Sequence, residues 1–147
     1  MTLACVGAAL DERRAWVLPT PRVMAPWQRA TLAALCAVNM PKVFQNGAYD
    51  RYFLQKFYDL DVRGHAFDTM IAWHTLQPEL AGKTTKPSGH RHIQKSLRFL
   101  ASIYTRAPFW KSYDFSSEEE RYELCGKDCC VTLEVARHMR EELDDDA

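Results

Sequence analysis

Two aspartates stand where a carboxylate is costly unless its charge is compensated. Asp50 follows the short apolar stretch KVFQN within the segment NGAYD, and Asp128 lies among apolar residues in LCGKDCCVTLEVA. A carboxylate beside apolar packing requires hydrogen bonds or a cation. Mg²⁺ prefers oxygen ligands, and two such ions about 3.5 to 4 Å apart can activate a water and stabilise the leaving oxygen of a phosphodiester. Asp50 and Asp128 are therefore our candidate metal-binding and catalytic residues.

The neighbours of Asp50 could complete a site, although each residue also has a structural explanation. Asn46 and Asp50 are four positions apart, so they share a face once a helix has begun, and Tyr49 can cover the site. Alternatively, Asp50 is a first-turn acid favoured by the helix dipole, and Asn46 ends a strand or caps the helix. Asp128 could equally be a cap or a paired surface acid.

The elements that must position these acids alternate between short strands and helices. The stretches LACVGAAL and RAWVLPT predict an antiparallel hairpin, and Pro26 suits the first turn of a helix over PWQRATLAALCAV. KVFQN then predicts a strand and GAYDRYFLQKFYDL the helix after it. A strand near Phe67 precedes the helix TMIAWHTL, with Asp68 as its N-cap. This alternation indicates an α/β fold.

The second half of the chain is predicted to be mainly helical. The Gly-, Pro- and Lys-containing stretch LAGKTTKPSGH predicts a loop, and the apolar spacing in IQKSLRFLASIY predicts a helix. A final helix is expected from near Ser117 towards Met139. Residues 140–147 form an acidic tail that we expect to fray.

Length and composition indicate one globular domain over residues 1–147. Of the 147 residues, 47% are hydrophobic and 12% aromatic, which excludes a disordered chain. We find neither an apolar run of the roughly 20 residues that a membrane span needs nor a secretory signal, so we expect a cytoplasmic protein without membrane contact. The five cysteines include no CxxC pair, which supports neither a zinc site nor a disulfide framework.

The formal charge is zero, yet residues 80–113 contain seven Lys or Arg and no acid. Such a block could follow a phosphate backbone, although a solvated basic face is an equal alternative. Lys111 belongs to this block.

Several ordered segments resemble one family of nucleases. NGAYD, FDTMIAWHTLQPEL, KSLRFLASIYT, FWK and KDCCVTLEVA together resemble the 3'-5' proofreading exonuclease domain of family A DNA polymerases, especially phage-type ones. RNase D-like relatives are less similar, since their Trp-x-x-Arg-Pro-Leu block is not visible. The resemblance implies a ribonuclease H-like mixed sheet flanked by helices. It also implies Mg²⁺ or Mn²⁺ at Asp50 and Asp128, and substrate contacts from Asn46, Tyr49 and Lys111.

The chain departs from this family at its first motif. The Asp-x-Glu pair that ends the family's first, central strand is absent, and Asp11 and Glu12 have the wrong spacing and lie in the hairpin turn. The chain resembles the domain from its second strand onward. We therefore expect the strands LACVGAAL and KVFQN to lack their shared neighbour and the site to lack two of its four acids.

A second departure concerns the third motif. The family's commonest version has a Tyr four residues before the Asp, where this chain has Leu124. Tyr122 precedes Asp128 by six residues, which rotates it about 240° around a helix, whereas a four-residue offset leaves about 40°. Tyr122 therefore cannot simply replace the missing hydroxyl.

Two classes of function follow from the resemblance. The first is a proofreading-type exonuclease domain acting on single-stranded DNA 3' ends by two-metal hydrolysis, impaired as the isolated chain. The second is a non-catalytic nucleic-acid-binding remnant. An upstream segment could supply the missing strand, either from a split gene or because the start is misplaced, and a polymerase domain could be a further partner.

Overall fold

The structure is a computed structural model that describes residues 4–79, 95–108 and 116–145. Within these ranges the chain is mixed α/β, as the sequence predicts. The strands are β1 Cys5–Ala9, β2 Ala15–Pro19, β3 Lys42–Phe44 and β4 His65–Asp68. The helices are α1 Pro26–Ala37, α2 Gly47–Tyr58, α3 Thr69–Leu76, α4 Leu97–Tyr104 and α5 Glu118–Asp145.

The first two strands form the predicted antiparallel hairpin. Cys5 pairs with Pro19 and Ala9 with Ala15. Asp11 organises the turn, because its Oδ1 accepts hydrogen bonds from the backbone N–H groups of Arg13 and Arg14 at 2.9 and 2.8 Å. Short side chains that bond backbone groups two or three residues ahead favour such turns.

The next two strands are parallel and are connected through α2. Lys42 pairs with His65 and Phe44 with Asp68, with an irregularity in register between Lys42 and Val43. Parallel neighbours require a crossover connection, and α2 supplies it. The predicted order of strand, helix and strand is confirmed here.

The four strands form two separate sheets in the part of the chain that the structure describes. β1 pairs with β2, and β3 pairs with β4, but no strand described here joins β1 to β3. The sequence prediction that β1 and β3 lack a strand they would share in one sheet stays a prediction. The four strands do not by themselves make the single mixed sheet that the resemblance implies. Helix α5 contacts both sheets, through β1, β2 and β3.

The buried apolar side chains form two clusters. In the larger, α3, α4 and α5 pack around Trp73, Leu100 and Met139. In the smaller, Leu32 and Cys36 of α1 contact Leu54 of α2 and Val62. The smaller cluster also contacts β1, β2 and β3 through partly buried side chains, so it supports the strands that lead towards Asp50.

The prediction that the acidic tail frays is wrong for residues 140–145, which are helical. Helix α5 continues to Asp145 instead of ending near Met139. Tyr104 Oη donates a 2.6 Å hydrogen bond to Glu142 Oε2, and Arg137 Nη1 lies 3.1 Å from Glu141 Oε1. These contacts, one of them to another helix, hold the acidic segment in the helical conformation.

Among the described residues, none of the helices combines the length and apolar character needed to cross a membrane.

Candidate functional site

The turn between β3 and α2 has a tightly constrained backbone. Asn46 is the N-cap of α2 and adopts a left-handed conformation, with φ 62° and ψ 47°. A Cβ atom at Gly47 would lie 2.6 Å from Phe44 Cβ, so this position admits only glycine without a shift of Phe44. The NG pair therefore has a structural role in starting the helix that carries Asp50.

Asp50 lies in the first turn of α2, where the helix dipole favours an acid. The residue as a whole is exposed, but protein atoms near its carboxyl group desolvate it in part. The resulting desolvation raises the pKa of Asp50 to about 6, a hydrogen bond from its own backbone N–H opposes the rise, and the charge of Asp68 adds to it. A cation would favour the ionised form that this environment disfavours.

The carboxylate of Asp68 is nearly enclosed by backbone N–H groups. As predicted, Asp68 is the N-cap of α3, and its Oδ1 accepts from Met70 N–H at 2.9 Å and Ile71 N–H at 3.4 Å. The same side chain also accepts from the start of α2, at 3.0 Å from Asn46 N and 2.6 Å from Gly47 N. The sequence indicated the cap, but no local pattern indicated the bonds to residues more than 20 positions earlier.

Asp128 occupies the amino-terminal half of α5 and is half-buried. Its backbone carbonyl accepts a 2.7 Å hydrogen bond from Thr132 Oγ1. α5 packs on β3, the strand that leads into α2, so the two candidate acids are carried by elements that meet at β3. The charge of Asp128 also acts on the nearby Cys125 thiol.

Three thiols line the contact between β1 and α5 beside Asp128. Cys5 donates to Cys125, and this hydrogen bond together with burial raises the pKa of Cys5 well above its usual range. Cys125 donates in turn to Cys129, and this bond together with burial raises the pKa of Cys125 to about 12, although the bond from Cys5 opposes the rise. Gly7 makes room for them, since a Cβ there would lie 2.7 Å from Cys129 Sγ and 2.8 Å from Cys125 Sγ. The sequence shows the crowding of cysteines on α5 but not their meeting with β1.

The predicted substrate-contacting residues have different outcomes. The expectation that Asn46 shares a helical face with Asp50 is wrong, because Asn46 precedes the helix in a left-handed conformation. Tyr49 is 53% exposed, with its ring centroid 4.4 Å from that of Phe53. A base could reach this exposed ring. Lys111 lies outside the described residues, so its role stays a prediction.

Two further sequence features concern the site: the position of the third-motif tyrosine and the basic block. The structure describes the first and only part of the second. Leu124 is half-buried on α5, and Tyr122 Oη lies 3.5 Å from Glu118 Oε2, towards the start of the helix. Of the basic block, Lys95, Arg98 and Arg106 fall in the described ranges. A continuous basic surface therefore stays a prediction, as does the loop over LAGKTTKPSGH.

The described residues do not supply a complete metal site. Across residues 4–79, 95–108 and 116–145, no group of three or more His, Cys, Asp or Glu side chains is placed to hold a metal ion. A two-ion site needs more fixed oxygen ligands than Asp50 and Asp128 provide. The described residues thus contain at most a part of such a site.

Comparison with known proteins gives one informative similarity. No protein-family model matches the chain. A curated relative, DNA polymerase I of Synechocystis sp., is 30% identical over 106 residues, which are 71% of this chain and 10% of that protein. The chain therefore spans about a tenth of the length of this relative. It is similar to a short segment of a DNA polymerase.

Proposed function

We propose that the chain is a 3'-5' exonuclease-type domain of a polymerase, which binds a single-stranded DNA 3' end. The observation that carries this proposal is the similarity to DNA polymerase I over 71% of the chain. It agrees with the order of the segments that resemble the proofreading domain. The raised pKa of Asp50 reflects desolvation of its carboxyl group, which a bound cation would offset.

In this proposal Asp50 and Asp128 hold Mg²⁺ or Mn²⁺ as two of four acidic ligands. Their oxygen donors suit hard divalent ions, but the described residues do not complete the site. When bound, two such ions would supply an activated water and stabilise the leaving oxygen of the phosphodiester. The exposed ring of Tyr49 would stack on a terminal base, Asn46 would border the same turn, and Lys111 would neutralise a phosphate.

We further propose that a preceding segment completes the sheet. β1 and β3 each end their own two-stranded sheet, and α5 lies across both. A strand between them would pair with the unpaired edges and convert the two sheets into one ribonuclease H-like mixed sheet. If that strand carries the family's Asp-x-Glu pair, it also supplies the two acids that the site lacks. Without it, we expect weak turnover or none.

The test is to restore the strand and measure trimming of a DNA 3' end. A version extended by an Asp-x-Glu strand should release labelled 3' nucleotides in Mg²⁺ or Mn²⁺, and Asp50→Asn or Asp128→Asn should reduce the rate roughly a hundredfold. Asp144→Asn, which alters an exposed acid on the same helix as Asp128, should leave the rate unchanged. No trimming, or trimming unaffected by Asp50→Asn, refutes the proposal.

A second candidate is a non-catalytic module that binds single-stranded nucleic acid. The absence of Asp-x-Glu from the chain and Leu124 in place of the family's tyrosine favour it. This candidate predicts that the purified chain binds an oligonucleotide, less tightly as salt increases, without cleaving it. Metal-dependent cleavage by the purified chain that Asp128→Asn abolishes would refute this candidate.

A further inference from the structure

One buried carboxylate joins the beginnings of two helices. Asp68 is 6% exposed, and it accepts hydrogen bonds from α3 and from the turn that opens α2. We propose that Asp68 is a positioning residue, which fixes the start of α2 and thereby the place of Asp50. The effect of Asp68 on catalysis rests on the proposed function. Its role in fixing the start of α2 does not.

The bonds to α2 occupy donors that a helix normally leaves unsatisfied. The first four N–H groups of an α-helix have no partner within the helix, and a partner from elsewhere therefore fixes the helix end. Gly47 is the first residue of α2, and its N–H lies 2.6 Å from Asp68 Oδ2, while Asn46 N–H lies 3.0 Å from Oδ1. Asp68 thus binds the N-cap and the first residue of the helical turn that contains Asp50.

A carboxylate suits this place better than any neutral side chain of its size. Both carboxylate oxygens accept hydrogen bonds here. An asparagine has only one side-chain oxygen, and its amide NH₂ would face the N–H donors that bind the other carboxylate oxygen. The negative charge is also favoured by the positive ends of the two helix dipoles. Hydrogen bonds from backbone N–H groups to a carboxylate are shorter and stronger than those between neutral groups.

The surrounding backbone leaves the turn little freedom to shift. The left-handed Asn46 and the close approach of Gly47 to Phe44 restrict the junction to a narrow set of conformations. Asp50 follows Gly47 by less than one helical turn. A change in the bonds at Gly47 is therefore transmitted to Asp50 through one rigid turn of helix.

Two substitutions separate positioning from simple capping. Serine is a good N-cap, so Asp68→Ser retains the cap of α3, but its side chain is too short to reach α2 as well. Asp68→Asn keeps the size and removes the charge and one acceptor. Ser96→Ala is the control, because Ser96 accepts from Phe99 N–H and caps only α4.

Amide hydrogen exchange on the intact chain is the first measurement. In the unsubstituted protein Gly47 N–H should be protected, and in Asp68→Ser the exchange at Asn46 and Gly47 should accelerate about tenfold or more while Met70 remains protected. Ser96→Ala should change none of these amides. The proposal is overturned if the Gly47 amide is unprotected in the unsubstituted protein, or if its exchange is unchanged in Asp68→Ser. Neither result depends on whether Asp68→Asn folds.

Dilute Mn²⁺ tests the consequence for Asp50 without requiring turnover. Mn²⁺ should broaden the amide signal of Asp50 in the unsubstituted chain and in Ser96→Ala. In Asp68→Ser about tenfold more Mn²⁺ should be needed for the same broadening. Equal Mn²⁺ requirements in Asp68→Ser and Ser96→Ala overturn the positioning role. Absence of broadening in every protein refutes Mn²⁺ binding at Asp50 by this chain alone, whereas the predicted exchange pattern would still support the positioning of α2; the proposed function is tested separately, by trimming with the extended version.

Discussion

The two halves of α5 are packed differently. In the carboxyl-terminal half Val135 and Met139 are 0% exposed and belong to the cluster with α3 and α4. In the amino-terminal half Cys125 and Cys129 are only half-buried beside Gly7 of the hairpin, and Asp128 is half-buried as well. The candidate acid therefore lies in the half that contributes less to the core. We infer that the carboxyl-terminal half of the helix contributes more to the apolar core, whereas the amino-terminal half carries polar and sulfur groups.

The largest expected effect comes from opening the packed half. Met139→Ala should lower the free energy of unfolding by about 2–5 kcal/mol, because it removes a fully buried side chain between three helices and leaves a cavity. Ile103→Ala, on α4 but 49% exposed, should change it by about 0.5 kcal/mol or less. Urea unfolding measures both. Similar losses for the two variants would contradict the difference in packing.

A matched pair of glycines tests the packing of the thiol-bearing half. Gly7→Ala should destabilise by about 1–3 kcal/mol, since its Cβ would meet two sulfurs. At Gly126 the nearest atom to a new Cβ is Val17 Cγ2 at 3.5 Å, so Gly126→Ala should stabilise α5 by about 0.5–1 kcal/mol. Thermal unfolding with ΔH measured gives both values. A neutral Gly7→Ala would show that β1 and α5 are not in close contact.

The carboxyl-terminal end of α5 should depend on its bond to α4. Tyr104→Phe removes the hydrogen bond to Glu142 and should cost about 0.5–1.5 kcal/mol. Amide exchange should accelerate near Glu142 but not near Cys125, since the lost bond lies in the packed half. Equal acceleration at both ends would argue that α5 unfolds as one unit.

The smallest expected effect is a change in the pH dependence of stability. The pKa of Asp50 is about 6 in the folded chain, above the 3.8 of an unperturbed Asp. Its contribution to stability is therefore present below about 3.8 and is lost as the pH rises through about 6. Asp50→Asn should flatten the stability profile between these values and raise stability at pH 7, whereas Asp144→Asn should not. Because Asp50 is exposed to solvent, we expect this effect to be small.

Local chemistry made much of the fold predictable. Pro26 at the start of α1, the turn residues after β1 and the capping Asp68 each act within a few positions of themselves, so their patterns predict the elements correctly. The left-handed Asn46 was missed because four-residue spacing implies a shared face only inside a helix. The acidic composition of residues 140–147 led us to predict a frayed end. The hydrogen bond that orders Glu142 comes from Tyr104, 38 positions earlier, and local composition does not reveal it.

The candidate site was less predictable than the fold, because its contacts join residues that are far apart in the sequence. Asp68 caps its own helix through neighbouring amides, but its bonds to Asn46 and Gly47 depend on the pairing of β3 with β4. The meeting of Cys5 with Cys125 depends on how α5 lies on the hairpin. Such contacts between distant positions leave no periodic signal in a single sequence.

The central claim is that Asp50 and Asp128 bind the same divalent ions. A Mn²⁺ titration of the version extended by an Asp-x-Glu strand, followed by amide line broadening, tests it most directly. We predict that dilute Mn²⁺ broadens the signals of both residues together, and that Asp50→Asn weakens the broadening at Asp128 as well. Broadening at Asp128 that persists unchanged in Asp50→Asn, or that never occurs, would contradict the claim.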